Sequence, residues 1–264
     1  MEFFDSHCHF DFAVFDADRE LLWRDCNAVG VQYAVIPGVA PEQWSAAAHI
    51  AQQHKNIYCA VGLHPWWISK AFNSNSFSQH LDIFGQQLRE NIHQKKCIAI
   101  GECGLDAEIE MPLELQQQVL DVHLRSAQES LLPLIIHCRK AHNELLQQLK
   151  KYNLPAAGVI HGFSGSYEMA AQYWAMGFRL GIGGTITYER ANKTRQAVKL
   201  LPLEAILLET DAPDMPLHGK QGERNCPSNI IAIAQTLADL RGDSLEHIAA
   251  QTTFNAQHFF KIIS

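Results

Sequence analysis

Short apolar, β-branched runs recur along the chain, each followed by a stretch with helical spacing. The runs predict strands over Phe3 to Ser6, Tyr33 to Pro37, Ile57 to Leu63, Cys97 to Gly101, Leu134 to His137, Ala157 to His161, Phe178 to Gly183 and Ile206 to Thr210. Their ends recur at a period of roughly 29 residues, enough for a strand, two loops and a helix. Leu113 to Leu131 is the clearest predicted helix, with Val119, Leu120, Leu124, Ala127 and Leu131 at helical spacing. Pro41 stands where a first helical turn begins; Ser166 is placed to cap a segment that ends at Met176 and is stopped by Gly177.

Runs such as AVIPGV, LIIHC and AILLET are apolar without alternation, which predicts strands buried on both faces and hence a parallel sheet. Eight such strands alternating with helices predict a (β/α)8 TIM-type barrel, with an open doubly wound sheet as the competing arrangement. No Gly/Ser-rich linker divides the chain, and the apolar segments Ser228 to Leu240 and Phe254 to Ile262 read as helices covering the barrel. Residues 1–264 are therefore read as a single domain.

Charge and composition narrow the function. A formal net charge of −7 argues against the broad basic footprint of sequence-independent DNA binders, so a polyanion would have to be held locally. Seven Cys with no Cys-x-x-Cys pair, an N-terminus of acids and histidines, and no apolar run of membrane-spanning length point to a reduced cytoplasm, with no membrane association and no export. The 14 His are the outlying count, since this residue titrates near neutrality and binds metals.

Position gives that count meaning. His7 and His9 are two apart at the first strand end, so both imidazoles face one side. His64 follows the third strand, Glu102 the fourth, His137 and His161 end the fifth and sixth, and Asp211 follows the eighth. Three-residue windows at the eight ends would hold roughly 1.3 His by chance. They hold five, at the face where barrels of this kind build active sites. His with carboxylates suits Zn, Mn, Fe, Ni or Mg, and Glu102 has two oxygens with which to bridge two ions about 3.5 to 4 Å apart. Asp211 would then hold one ion and accept the proton of an attacking water.

The stretches FFDSHCHFD, VGLHPW, AIGECGLD, LPLIIHCRKAHNELL, VIHGFSGS, LGIGGTITY, LLETDAPDMPL and RNCPSNI occur in that order at compatible spacing. In them the chain resembles, over nearly its whole length, the TatD-type metal-dependent hydrolases of the amidohydrolase superfamily, and within that family the YjjV-like branch. The resemblance implies a (β/α)8 barrel with two divalent cations, Zn, Mg or Mn. One would be held by His7, His9 and Asp211, the other by His137 and His161, with Glu102 bridging. It also implies hydrolysis of phosphoester bonds in DNA, often exonucleolytic, with DNA or a small phosphoester as partner and no obligatory protein partner. His64 is similar to a residue near the family site that is not a usual ligand.

Two departures bear on substrate. Ala107 follows Gly-Leu-Asp where the family often has an aromatic, and Glu108 and Glu110 come after it, which predicts an acidic lip that would repel a polyanion. Cys226 stands where many relatives have Glu. The same ions would serve an amide, lactone or carboxylic ester equally well, and a non-catalytic metal-binding protein is a third reading.

Other residues carry weaker expectations. Arg139 is the candidate phosphate contact, with Lys140 beside it, and His64 is read as lining the substrate pocket. Arg190, Lys193 and Arg195 follow the seventh strand, as a phosphate loop or a solvated helix face. Trp66 and Trp67 are read as either a platform for a base or a cap on the barrel. His142 and His218 stay open between substrate contact and surface loop, and His49, His54, His80, His93, His123, His247 and His258 fall on predicted helices or their edges. Cys8, Cys103 and Cys138 each follow a proposed ligand by one residue, so they point toward the helix layer as small buried hydrophobes.

Overall fold

The structure, a computed structural model, describes residues 1–72 and 76–262. Eight parallel strands stand in sheet order β1 to β8, and the chain has the predicted (β/α)8 TIM-type fold. They are β1 (Phe3–Asp5), β2 (Val31–Ile36), β3 (Ile57–Val61), β4 (Cys97–Asp106), β5 (Leu134–Arg139), β6 (Gly158–Ile160), β7 (Arg179–Ile182) and β8 (Ile206–Leu208). The helices are α1 (Arg19–Ala28), α2 (Pro41–Gln53), α3 (Ile68–Ala71), α4 (Phe77–Asn91), α5 (Leu113–Ser130), α6 (His142–Leu149), α7 (Tyr167–Ala175), α8 (Asn192–Leu200), α9 (Ile230–Arg241) and α10 (Leu245–Phe259). None of the described helices is long and apolar enough to cross a membrane.

The chain gathers into two compact units, Met1–Ile36 with His161–Ser264, and Pro37–Ile160. In the first, β1 pairs with β2 and β7 with β8, and Phe3, Phe178, Leu180, Ile182, Ile206, Leu207 and Leu208 are buried. In the second, β3, β4, β5 and β6 pair in succession around Ile57, Ile100, Leu134, Ile135 and Ile136. Burying side chains of this size contributes about 1.5 to 3 kcal/mol each, which is why these strands read as unbroken apolar runs.

The punctuation acts as expected in α2, which has Pro41 in its first turn, and in α7, where the Ser166 hydroxyl accepts from the Met169 N–H at 3.4 Å. Two elements differ from expectation. The last helix begins at Leu245 rather than Phe254, because the Ser244 hydroxyl caps it by accepting the His247 N–H at 3.1 Å. Its Thr253 hydroxyl donates to the Glu2 carbonyl and its Asn255 amide to those of Leu203 and Ile206, fastening α10 beneath β1 and β8.

The larger difference is β4, which runs on to Asp106 instead of stopping at Gly101. Gly101 pairs with Ile135 and Cys103 with Ile136, so Glu102 is the extra residue of a bulge. Gly104 then passes so close to β5 that a Cβ there would lie 1.9 Å from the His137 carbonyl oxygen. Glycines that look like a strand end are here the means of continuing past a neighbouring backbone.

His123 shows the other fate of a histidine. It is buried in α5, where its Nε2 accepts the Leu63 N–H at 3.0 Å and its Nδ1 therefore donates to the Val119 carbonyl at 2.8 Å. Burial pushes its pKa down to about 4. The unfolded imidazole titrates near 6.5, so between these values the unfolded chain binds a proton that the native one does not. Stability is thus fully present above pH ~6.5 and falls by roughly 3 kcal/mol as the pH drops to ~4. Urea unfolding across this range should show the slope in the wild type and lose it in His123→Gln, whose side-chain oxygen can still accept the Leu63 N–H. An unchanged slope would place its source elsewhere.

Candidate metal centre

In the first unit, His7 and His9 leave the end of β1 and Asp211 follows β8. The His7 Nε2 lies 3.4 Å from the His9 Nε2 and 3.4 Å from the Asp211 Oδ1, and the His9 Nε2 lies 3.5 Å from the same oxygen. The centre of such a triangle is about 2.0 Å from each corner, the ligand distance of Zn to imidazole nitrogen and carboxylate oxygen. Two imidazoles and a carboxylate converging in this way fit a divalent cation. The His161 ring stacks on His7, with centroids 3.8 Å apart.

Buried carboxylates hold these ligands in place. Asp5 accepts the Thr210 N–H at 2.9 Å and the His7 N–H at 3.3 Å on Oδ1, and the Thr210 hydroxyl at 2.5 Å on Oδ2, so it ties the end of β1 to that of β8. Burial raises its pKa to about 8 against the pull of those hydrogen bonds. Glu209 accepts the Gly162 N–H at 2.5 Å and lies 3.5 Å from the His161 Nδ1, the placement of a group that orients a ligand ring. Gly181 makes room for it, since a Cβ there would sit 2.1 Å from the Glu209 Oε2.

Asp211 has a left-handed backbone, φ +56°, braced by the Asn225 amide, which donates to the carbonyls of Thr210 and Asp214 at 2.9 and 2.8 Å. Burial works to raise the Asp211 carboxyl, yet the hydrogen bond from His9 and the charges of His161 and His7 hold it below the usual carboxylate range. The late RNCPSNI segment thus braces a ligand through Asn225. Its Cys226 thiol meets the Ser228 hydroxyl at 3.1 Å.

In the second unit, the Glu102 Oε1 lies 3.2 Å from the His64 Nε2 and 3.3 Å from the His137 Nδ1. The hydrogen-bond network assigns the two rings different forms. The His64 Nδ1 accepts the Trp66 N–H at 3.1 Å, so neutral His64 carries its proton on Nε2 and donates it to Glu102. The His137 Nε2 faces the Asp106 Oδ2 at 3.2 Å, and donation there leaves its Nδ1 in the ligand form. Asp106 is buried; burial works to raise its pKa, but hydrogen bonds from His137, Trp66 and the Glu108 N–H outweigh it and hold the carboxyl well below the usual range.

Of the two carboxylates expected in the acidic lip, Glu110 is exposed and Glu108 is paired. The Glu108 carboxylate pairs with the Arg139 guanidinium at 2.5 to 2.6 Å and with the Lys140 ammonium, so its charge is neutralised within the loop. Arg139, the candidate phosphate contact, stands at the end of β5 in this pair. Of the loop after β7, the Arg190 guanidinium lies over the Tyr188 ring and Arg195 donates to the Ile186 carbonyl. His218 is exposed against Tyr188, and His142, half-buried, begins α6. Cys8 and Cys103 are buried and burial pushes both thiols up, while Cys138 is only half-buried.

Sequence reasoning placed the ligand candidates but assigned no role to Asp5, Asp106 or Glu209. A spacing signal was present: Asp5 and Glu209 each stand two residues before a candidate ligand, His7 and Asp211.

Comparison with known proteins agrees with this chemistry. Residues 4–261 match the family described as TatD related DNase. The metal-dependent hydrolase YjjV of Escherichia coli (strain K12) is 38% identical over 263 residues, covering 98% of each chain, and its crystal structure superposes with a TM-score of 0.89 over 99% of this chain and 98% of that one. A Pantoea ananatis protein named 3'-5' ssDNA/RNA exonuclease TatD is 32% identical over 270 residues, covering 98% of this chain and all of its own. The chain belongs to the TatD related DNase family and is a metal-dependent hydrolase.

Proposed function

We propose that the chain hydrolyses phosphodiester bonds of single-stranded nucleic acid, removing nucleotides from the 3' end, with two divalent cations (Zn, Mg or Mn). His7, His9 and Asp211 would hold one, His137 and His161 the other, and Glu102 would serve both. The observation that carries the reading is the triangle of His7, His9 and Asp211 donor atoms, 3.4 to 3.5 Å on a side, on a backbone that fixes each. The 32% identity to a protein named as an exonuclease, and the neutralised Glu108, support a phosphoester over a carbonyl substrate.

Bound cations of this kind supply an acidified water and a positive clamp for phosphoryl oxygens. The chain's own groups do the rest. Asp211 takes the proton of the attacking water at its carboxylate, which the His9 contact keeps ionised. His64 lines the pocket and holds Glu102 in place through its Nε2 proton. Arg139 exchanges Glu108 for a phosphate of the substrate, with Lys140 beside it. We place the reaction in the cytoplasm, where reducing conditions keep the register partners Cys59 and Cys97 as thiols, and assign no membrane or obligatory protein partner.

The test is metal-replete protein on single-stranded DNA, phosphomonoesters and lactones. Turnover of the oligonucleotide is expected to exceed that of both small substrates. Turnover of lactones or other carbonyl substrates alone would reject the reading.

A further inference from the structure

We propose that the indole of Trp66 is a stacking platform for the terminal base of a single-stranded nucleic acid held at the metal centre. This rests on the phosphodiesterase reading above and names what that site recognises beside the phosphate. Of the five tryptophans, Trp23 and Trp44 are buried and Trp67 and Trp174 half-buried, whereas Trp66 is 55% exposed.

The exposed ring is nevertheless fixed. Trp66 follows Pro65 in a 3-10 turn, its backbone N–H donates to the His64 Nδ1 at 3.1 Å, and its indole N–H donates to the Asp106 Oδ2 at 2.7 Å. Its centroid lies 5.3 Å from that of His64 and 6.4 Å from that of His137. A large aromatic held at the surface by its polar edge forgoes the burial that would stabilise the fold, and offers a preorganised plane instead. Trp67, next in the chain, is half-buried and already has the Lys70 ammonium 4.1 Å over its ring.

The chemistry beside the ring selects the ligand class. His137 and Glu102 belong to a centre that takes phosphoryl oxygens, and a nucleotide is the phosphoester that carries a flat aromatic next to its phosphate. Stacking tolerates any base, so the platform would favour a terminal nucleotide without choosing its sequence. The indole also contacts the carboxylate that orients His137, so one side chain positions both substrate and ligand.

The experiment compares two single-stranded oligonucleotides with a non-hydrolysable phosphorothioate terminal linkage, one with an ordinary 3'-terminal nucleotide and one abasic there. Affinity for the cation-loaded full chain is read by fluorescence anisotropy. Wild type should bind the base-bearing strand about 5-fold to about 100-fold more tightly. Trp66→Leu should bring the two affinities together, and Trp66→Phe, which keeps a ring but not the N–H, should retain most of the preference. Equal affinities in the wild type, or an undiminished preference in Trp66→Leu, overturn the platform. Equal affinities with ordinary oligonucleotide still cleaved remove the platform alone; no binding of either strand and no phosphodiester turnover remove the substrate reading with it.

Discussion

Asp211→Asn gives a folded protein whose turnover falls about 100-fold to about 10,000-fold, the range for loss of a positioned proton acceptor. The fold should survive because Asp211 is already left-handed, φ +56°, a conformation Asn tolerates, and its neighbours are pinned by the Asn225 amide rather than by the carboxylate. Chemistry should not survive, since the amide oxygen neither takes a proton near neutral pH nor carries the charge that faces the His7 and His9 nitrogens. The check pairs kcat with a thermal melt of the metal-free protein. Undiminished kcat would remove Asp211 from the reaction, whereas a collapsed melting temperature would reveal a structural role.

Glu102→Gln carries the second large effect. Glu102 is the bulged residue of β4, only 2% exposed, with imidazoles of His64 and His137 on its Oε1. Gln keeps an oxygen that can accept the His64 proton, so packing is retained while the negative charge is lost. One bound cation should be lost with it, and the barrier should rise by about 3 to 5 kcal/mol, which lowers kcat about 150-fold to about 5,000-fold. Cation content by elemental analysis and kcat on a single-stranded oligonucleotide check the two halves separately. A variant that keeps both cations and turns over within a few-fold of wild type would show that Glu102 does not bridge.

The barrel and the candidate ligands were legible because both follow from local pattern. A strand buried on both faces is a short apolar run, and a candidate ligand at its end is the first polar residue after it, as His137 and His161 are, while His7 comes after Asp5 and Ser6. Pairing between distant segments was not legible. Asp5 and Thr210 meet across 205 residues of sequence, and nothing near either one names the other. Glu108 reads as part of an acidic lip until β5 brings Arg139 and Lys140 to it. Gly101 and Gly104 look like a strand end because close backbone approach and a turn ask for the same residue. The carboxylates behind the ligands were missed for the related reason that burial raises the value of a polar group only once its partners are known.

The most direct test titrates metal-free protein with Mn2+ while following hydrolysis of a single-stranded oligonucleotide. Two cations acting together predict activity that rises to a plateau at two equivalents per chain. A plateau at one equivalent, or hydrolysis with no added or retained cation, would contradict the account.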